Sequence, residues 1–407
     1  MNRPSPRLPP EMCDIILDHL WDDVPTLAAC SLAYRQWLPT TRLHLFNTVS
    51  LDNAADDLRF AQILEGSPGI APCVRHLTLV SISLPWRKFT RIEHLVLQSW
   101  HTVLMSEESK EALLSYFPTV RTLSVEHCCF DVSLFAALLC AFPKLSVIHI
   151  DRSTLLGDSD PTGSYDTIPD RLPFPTLEPP GTRRRIEGLY TYALPDYGFW
   201  LMQGPFDLAL RAFGVTCDPE HVSMVQEVIR VTTSTLEHLS LTMVKPYSIP
   251  RLLQNHCPDI THSTQLVSLH IGRISLFHEY LDFRWTHEIL ARLPLSLNRL
   301  TQVKITYELS RMVQLSRVDW EDLDKVLVGL ACARPAFVLI LDIIHIHIIA
   351  RRGYEHASMV RESMGTVVSR LTGYLALQTV RLQIVYSRVH LTRNSSTISD
   401  TSEHWFP

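Results

Sequence analysis

Residues 120–130 read VRTLSVEHCCF, with apolar side chains at Val120, Leu123, Val125, Cys128 and Phe130. One apolar residue, two variable, one apolar, one variable and another apolar describe a short strand with one covered face and one open face. The same spacing recurs outward in both directions. Towards the N-terminus it gives Ile92-Leu95-Leu97 and Val74-Leu77-Leu79. Towards the C-terminus it gives Leu145-Ile148-Ile150, Leu236-Leu239-Leu241, Leu266-Leu269-Ile271, Leu300-Val303-Ile305 and Leu377-Val380-Leu382.

Helix-like segments lie between these strands, and their ends are marked. Glu107 to Phe117 stops before Pro118, Asp131 to Phe142 before Pro143, and Trp285 to Leu293 before Pro294. Asp218-Pro219 starts a run through Val231, and Asp319 to Ala333 ends just ahead of Pro335. A proline beyond an apolar periodic run is a helix stop. Strand and helix therefore alternate, which predicts an α/β fold with parallel strands.

The pattern resembles a leucine-rich repeat, whose later positions ask for Asn or Cys and then an apolar residue. Cys128 and Phe130 fill them here, whereas Ile82 and Leu84, and Ile274 and Leu276, keep only the apolar character. The steps from Leu77 to Leu95, to Leu123 and to Ile148 are 18, 28 and 25 residues, and from Leu239 to Leu269 and Val303 they are 30 and 34. Repeats of this kind run about 20 to 29 residues. An irregular leucine-rich-repeat-like α/β solenoid over residues 70–390 is the expectation, with a doubly wound α/β domain as the alternative. Fully buried parallel strands would be continuously apolar. Only Phe337 to Ile349 looks so, and with Asp342, His345 and His347 inside it reads as a buried strand rather than a membrane span.

Two stretches break the alternation. Residues 151–185 carry six prolines, five aspartates and the run Arg183-Arg184-Arg185, and read as a long Pro-rich insertion. Residues 393–407 are Ser/Thr-rich and read as a disordered tail. In a curved array, the strand positions flanking the buried leucines form an open face. His76, His94, Ser124, His149, His238, His270, Lys304 and Arg381 fall on it and constitute the candidate target-binding residues. Such a face suits a peptide, and its imidazoles can change charge near neutral pH.

The first fifty residues are of another kind. Leu8-Pro9-Pro10-Glu11 opens an apolar-patterned stretch through Ile15, Ile16 and Leu20; Asp22-Asp23 then precede Val24-Pro25, a cap and first-turn proline for a second helix. Leu27, Cys30, Leu32 and Trp37 give that second unit its own apolar stripe. So much apolar surface on a short hairpin calls for a cover, either the rest of the chain or another protein.

Residues 5–50 resemble an F-box. Leu8-Pro9, Glu11, Ile15-Ile16, Leu20, Leu27, Cys30-Ser31-Leu32, Arg35 and Trp37 match its order, and Phe46 lies where a final aromatic is frequent. Tyr34 and Pro39 depart from it, the latter by ending the helix early. With the repeats, the chain is similar to large fungal F-box families. The resemblance implies docking to a Skp-family linker through Leu8, Pro9, Ile15, Ile16, Leu20, Leu27 and Trp37. Through that linker the chain would join a cullin-RING ubiquitin ligase, with an unknown target protein held by the repeats. It implies an adaptor, not an enzyme. The alternatives are an interaction scaffold without a ubiquitination role and an α/β enzyme.

Composition agrees with an interaction protein. A net charge of -5 gives no general drive towards nucleic acid or membranes. Neither G-x-x-x-x-G-K-[ST] nor G-x-S-x-G occurs, so no catalytic residues and no cofactor are proposed. His287-Glu288 opens like a zinc-protease helix, but Ala291 stands where the second histidine belongs. Nine cysteines without a C-x-x-C pair argue against a structural zinc site. Met1-Asn2-Arg3-Pro4 lacks a signal-peptide core, and the expected location is intracellular, cytoplasmic or nuclear.

Overall fold

The computed structural model describes residues 9–80, 89–102, 105–156, 183–192, 198, 201–202, 204–217, 222–243, 257–275, 284–293, 299–309, 312–334, 336–347, 365–377, 381–391 and 396–406. Leu8, Ile82, Leu84, Asp218-Pro219, Leu276, Val380 and residues 157–182 of the Pro-rich stretch lie outside them. The chain forms two compact units, Met1–Ile186 and Glu187–Pro407.

The first unit begins with three helices, α1 (Pro10–Asp18), α2 (Val24–Ala33) and α3 (Leu38–Phe46), with a 3-10 turn at Arg35–Trp37. Asp23 caps α2 by accepting from Thr26 N at 3.1 Å, and Pro25 sits in its first turn, as the sequence predicts. Pro39 does not end a helix; it lies in the first turn of α3, where its missing N–H costs nothing. Then follow β1 (Thr48–Leu51), α4 (Ala54–Gly66), β2 (His76–Leu79), β3 (His94–Gln98), α5 (Glu107–Ser115), β4 (Thr122–Glu126), β5 (Cys129–Asp131), α6 (Val132–Ala141), β6 (Val147–Asp151) and β7 (Thr154–Leu156).

Strands β1, β2, β3, β4 and β6 are parallel neighbours in chain order. The sheet thus starts at Thr48, ahead of the expected boundary at 70. A doubly wound sheet would instead reverse its strand order at a switch point. Register aligns Val49, Leu77, Leu95, Leu123 and Ile148 in one buried row and Leu51, Leu79, Leu97, Val125 and Ile150 in the next. At about 1.5 to 3 kcal/mol for each large apolar side chain buried, these rows hold the strands against the helices.

The turn after each strand repeats as well. Ser99, His127 and Arg152, one residue beyond β3, β4 and β6, all have positive φ, at 59°, 52° and 45°. This sparsely allowed backbone is held by Ser99 N donating to Glu126 O and His127 N to Asp151 O, both at 2.9 Å. One residue further, Trp100 N donates to Cys128 Sγ at 3.3 Å and Cys128 N to Ser153 Oγ at 3.1 Å.

Strand β8 (Arg184–Thr191) crosses the boundary between the units. The second unit continues with β9 (Phe206–Cys217), α7 (Val222–Thr232), β10 (His238–Met243), β11 (Ser268–Ser275), α8 (Arg284–Ala291), β12 (Gln302–Leu309), α9 (Trp320–Cys332), β13 (Val338–His347), β14 (Arg381–Leu391) and β15 (Ser396–Phe406). Strands β9 to β14 are parallel neighbours in chain order, and β15 returns antiparallel on β14. Most of the tail expected to be disordered is therefore a strand, because its backbone pairs with β14. The Pro-rich insertion is shorter than expected at both ends, since β7 pairs with β5 and Arg184 already belongs to β8. Strand β13 is buried on one face only: Leu339, Leu341 and Ile343 are covered, whereas Val338 and Ile340 are half-exposed. The fold is mixed α/β.

Candidate functional site

The N-terminal helices carry more apolar surface than they bury. On α1, Leu17 faces inward and is buried, while Ile15 and Ile16 are about half exposed. Polar ties fix α1 against α3 along one edge: Thr40 Oγ1 donates to Asp14 Oδ1 at 2.5 Å, and His44 Nε2 meets Asp18 Oδ1 at 2.8 Å. Among the described residues no such tie covers Met12, Ile15 and Ile16, which are each about half exposed. Pro9, which precedes α1, is exposed; Leu20 and Trp37 are half-buried. Trp37 packs edge-on against Tyr34 with ring centroids 5.6 Å apart, and its indole Nε1 is buried without a hydrogen-bond partner.

Leu27 requires a correction. It is completely buried in the middle of α2, so it supports the hairpin from within and presents nothing to a partner. Conversely, Trp21 at 66% and Val24 at 57% exposure are surface residues that the helical stripes do not single out, and Leu32, a member of the second stripe, is 88% exposed. Trp21 and Val24 flank the turn between the helices, outside either stripe. Only the packing reveals which side of each helix is spent on the core.

The expected open-face positions do share faces, in two separate sets. In the first unit His76 and His94 are register partners, and so are Ser124 and His149. The rings of His76 and His94 stack with centroids 4.1 Å apart and planes within 5°. Burial, and then the neighbouring His94, hold His76 below the ordinary imidazole pKa; the same causes act on His149.

In the second unit His270 and Lys304 are partners, and the row of His238, Ser268, Gln302 and Val338 ends at the exposed Arg381. Here the polar groups satisfy one another. Ser240 Oγ lies 3.0 Å from His270 Nδ1, and His270 Nε2 lies 2.9 Å from Thr306 Oγ1, which donates to Asp342 Oδ2 at 3.3 Å. Lys304 Nζ closes the chain at 2.8 Å from the same carboxylate oxygen. The sequence pattern places Ser240 on this face too, whereas Thr306 and Asp342 were not assigned to it, although their alternation on predicted strands puts them there.

No family model matches the chain, and no curated protein is similar to it. Chemistry must therefore be argued from geometry alone. The Ser240 and His270 contact has the spacing of a nucleophile and its base. Burial first, and Lys304 second, lower the His270 pKa to about 4, which leaves the imidazole a poor proton acceptor at neutral pH. Asp342, which would have to support it, is tied to Lys304. The network reads as a satisfied polar strip on one face of the sheet. Among the described residues no group of three or more His, Cys, Asp or Glu could hold a metal ion, and no helix is long and apolar enough to cross a membrane.

Proposed function

We propose that the chain is a substrate-recruiting adaptor of a Skp-cullin-F-box ubiquitin ligase, with residues 5–50 as the F-box-like docking module and the parallel strands that follow as an irregular leucine-rich-repeat-like solenoid. The observation that carries this reading is the exposure of apolar side chains on the N-terminal helices, Met12, Ile15 and Ile16 on α1 and Leu32 on α2, on the segment whose sequence resembles an F-box. An apolar patch rimmed by polar residues is the usual mark of a protein interaction site. In this reading Pro9, Ile15, Ile16, Leu20 and Trp37 contact the Skp-family linker, while Leu27 holds the module together. Leu8 is the first residue of the resemblance.

The solenoid reading draws support from three regularities: strands that follow chain order, leucine rows in register, and a positive-φ turn repeated after β3, β4 and β6. Stacked units of this kind present an extended open face to a target. Catalysis would belong to other subunits, which gain rate by holding reactive groups near the target.

The test is co-purification with a purified Skp-family linker. The wild-type chain is expected to retain the linker, and an Ile15→Asp/Ile16→Asp variant to lose it while keeping its circular dichroism spectrum. Equal retention by both would overturn the docking reading. Retention without any protein becoming ubiquitinated in a reconstituted ligase would leave an interaction scaffold.

A further inference from the structure

The open face of the first unit differs from that of the second in one respect: His76 and His94 stack on each other, whereas His270 joins a chain of hydrogen bonds. Neither His76 nor His94 makes a hydrogen bond to another described residue, yet both rings are half-buried. Thr122 continues their register row, and Thr78, Val96, Ser124 and His149 form the next row along the strands. Two small hydroxyls thus lie between the stacked pair and a third imidazole. On the far side β1 contributes only Thr48 and Ser50.

Besides His94, the charged groups among the described residues that act on His76 are Glu93, which raises its pKa, and Arg75, which lowers it. Glu93, beside His94, is engaged by the Arg75 guanidinium. Arg121 precedes β4, and Glu126 and Asp151 stand at the far ends of β4 and β6, one row beyond Ser124 and His149. Like charges 4.1 Å apart would repel, and an anion lying over the stacked pair would offset that repulsion.

We propose that this face is a docking strip for an acidic, carboxylate-rich segment of a target protein, gripped through the stacked His76 and His94 and tightened as pH falls. The proposal rests on the reading of the chain as a target-holding adaptor and names the chemistry of the target. Hydroxyls of Thr78, Thr122 and Ser124 are placed to donate to the same carboxylates. Because proton uptake and anion binding are linked, each strengthens the other. Burial and the neighbouring His94 lower the pKa of His76 and of His149, so acid rather than alkaline pH favours their charged forms.

Fluorescence anisotropy of the full chain with labelled hexaglutamate and hexaglutamine peptides, at about pH 7.5 and about pH 5.5 on either side of the ordinary imidazole pKa, tests this. Glutamate side chains stay mostly ionised at both values. Uptake of about one proton on binding gives on the order of tenfold tighter hexaglutamate binding per pH unit at most, and roughly that gain in total is expected. The glutamine peptide should not bind at either pH. His76→Gln/His94→Gln should abolish the gain, and His94→Gln alone should reduce it if the double variant unfolds; His262→Gln, at an exposed position in the other unit, should retain it. A gain that survives in the His76 and His94 variants, or equal binding of both peptides, would overturn the proposal. Linker co-purification by the same variants keeps the two readings apart: its loss in wild type bears on the adaptor, not on the strip.

Discussion

The backbone N–H of Cys128 donates to Ser153 Oγ at 3.1 Å, while Trp100 N donates to Cys128 Sγ at 3.3 Å. One structural position thus recurs in successive turns of the chain, filled by Trp, Cys and Ser. The Cys128 thiol also faces the carbonyl oxygens of Leu97 and Glu126, and Ser153 Oγ those of Val125 and Asp151. These side chains satisfy backbone groups that the turns leave free. Ser153→Ala leaves the Cys128 N–H and a carbonyl unpaired, and a loss of about 1 to 3 kcal/mol is expected in urea unfolding. A midpoint unchanged from wild type would show that the turn does not depend on this side chain.

Leu27 and Leu32 lie five residues apart on α2 and should behave in opposite ways. Leu27 is buried, so Leu27→Ala should cost about 2 to 5 kcal/mol through lost contacts and the cavity left behind. Leu32 is 88% exposed, and Leu32→Ser should stay within about 0.5 kcal/mol. Thermal unfolding of the two variants measures the contrast directly.

Asp324 on α9 accepts from Gly373 N and Tyr374 N, both at 2.8 Å, and so caps the short helix Thr372–Leu375 from fifty residues away. That anchorage seats the buried Tyr374 against Phe337, with ring centroids 6.3 Å apart. Removing the cap by Asp324→Ala should cost about 1 to 2 kcal/mol. Gly373→Ala should also destabilise, because its new Cβ would sit 2.6 Å from Asp324 Oδ2. Hydrogen exchange of the 372–375 amides should accelerate in both variants.

His270 makes the second unit acid-sensitive. Its folded pKa of about 4 lies below the unfolded imidazole value, so between the two the unfolded chain binds the extra proton. The associated stability is present above about pH 6.5 and is lost as pH falls towards 4, at up to about 1.4 kcal/mol per pH unit. His270→Gln should flatten the slope of stability against pH in that window. An unchanged slope would assign the acid sensitivity to other groups.

Thiol reactivity should separate Cys128 from Cys332. Burial raises the Cys128 pKa to about 11, whereas Cys332 is exposed at the end of α9. Since the thiolate is the reactive form, iodoacetamide at mildly alkaline pH should modify Cys332 first and Cys128 only on unfolding. Peptide mass spectrometry against reaction time gives both rates.

Much of this was legible in the chain because strands and helices announce themselves by period. Leu77, Leu95, Leu123 and Ile148 mark their strands, and the run from Asp319 to Ala333 coincides with α9 and its caps. The open-face histidines followed from the same alternation. Less legible were elements defined by pairing: β1 is four residues long, and β15 has a Ser/Thr-rich sequence that reads as a tail until β14 supplies its hydrogen bonds. The apolar residues of the N-terminal helices were legible as a set but not in their burial, since Ile15, Ile16 and Leu27 are alike as apolar helical residues.

The sequence by itself determined the alternation of strand and helix, the leucine rows and the apolar excess of the first fifty residues, because hydrophobic period and capping act locally. Tertiary structure alone decided the division at Ile186, the burial of Leu27 and the exposure of Leu32, the stacking of His76 on His94 and the closure of the Ser240 to Lys304 chain. Each of these depends on which strand or helix comes to lie beside which. A one-dimensional pattern states what a residue prefers, and only its neighbours in space determine whether that preference is met.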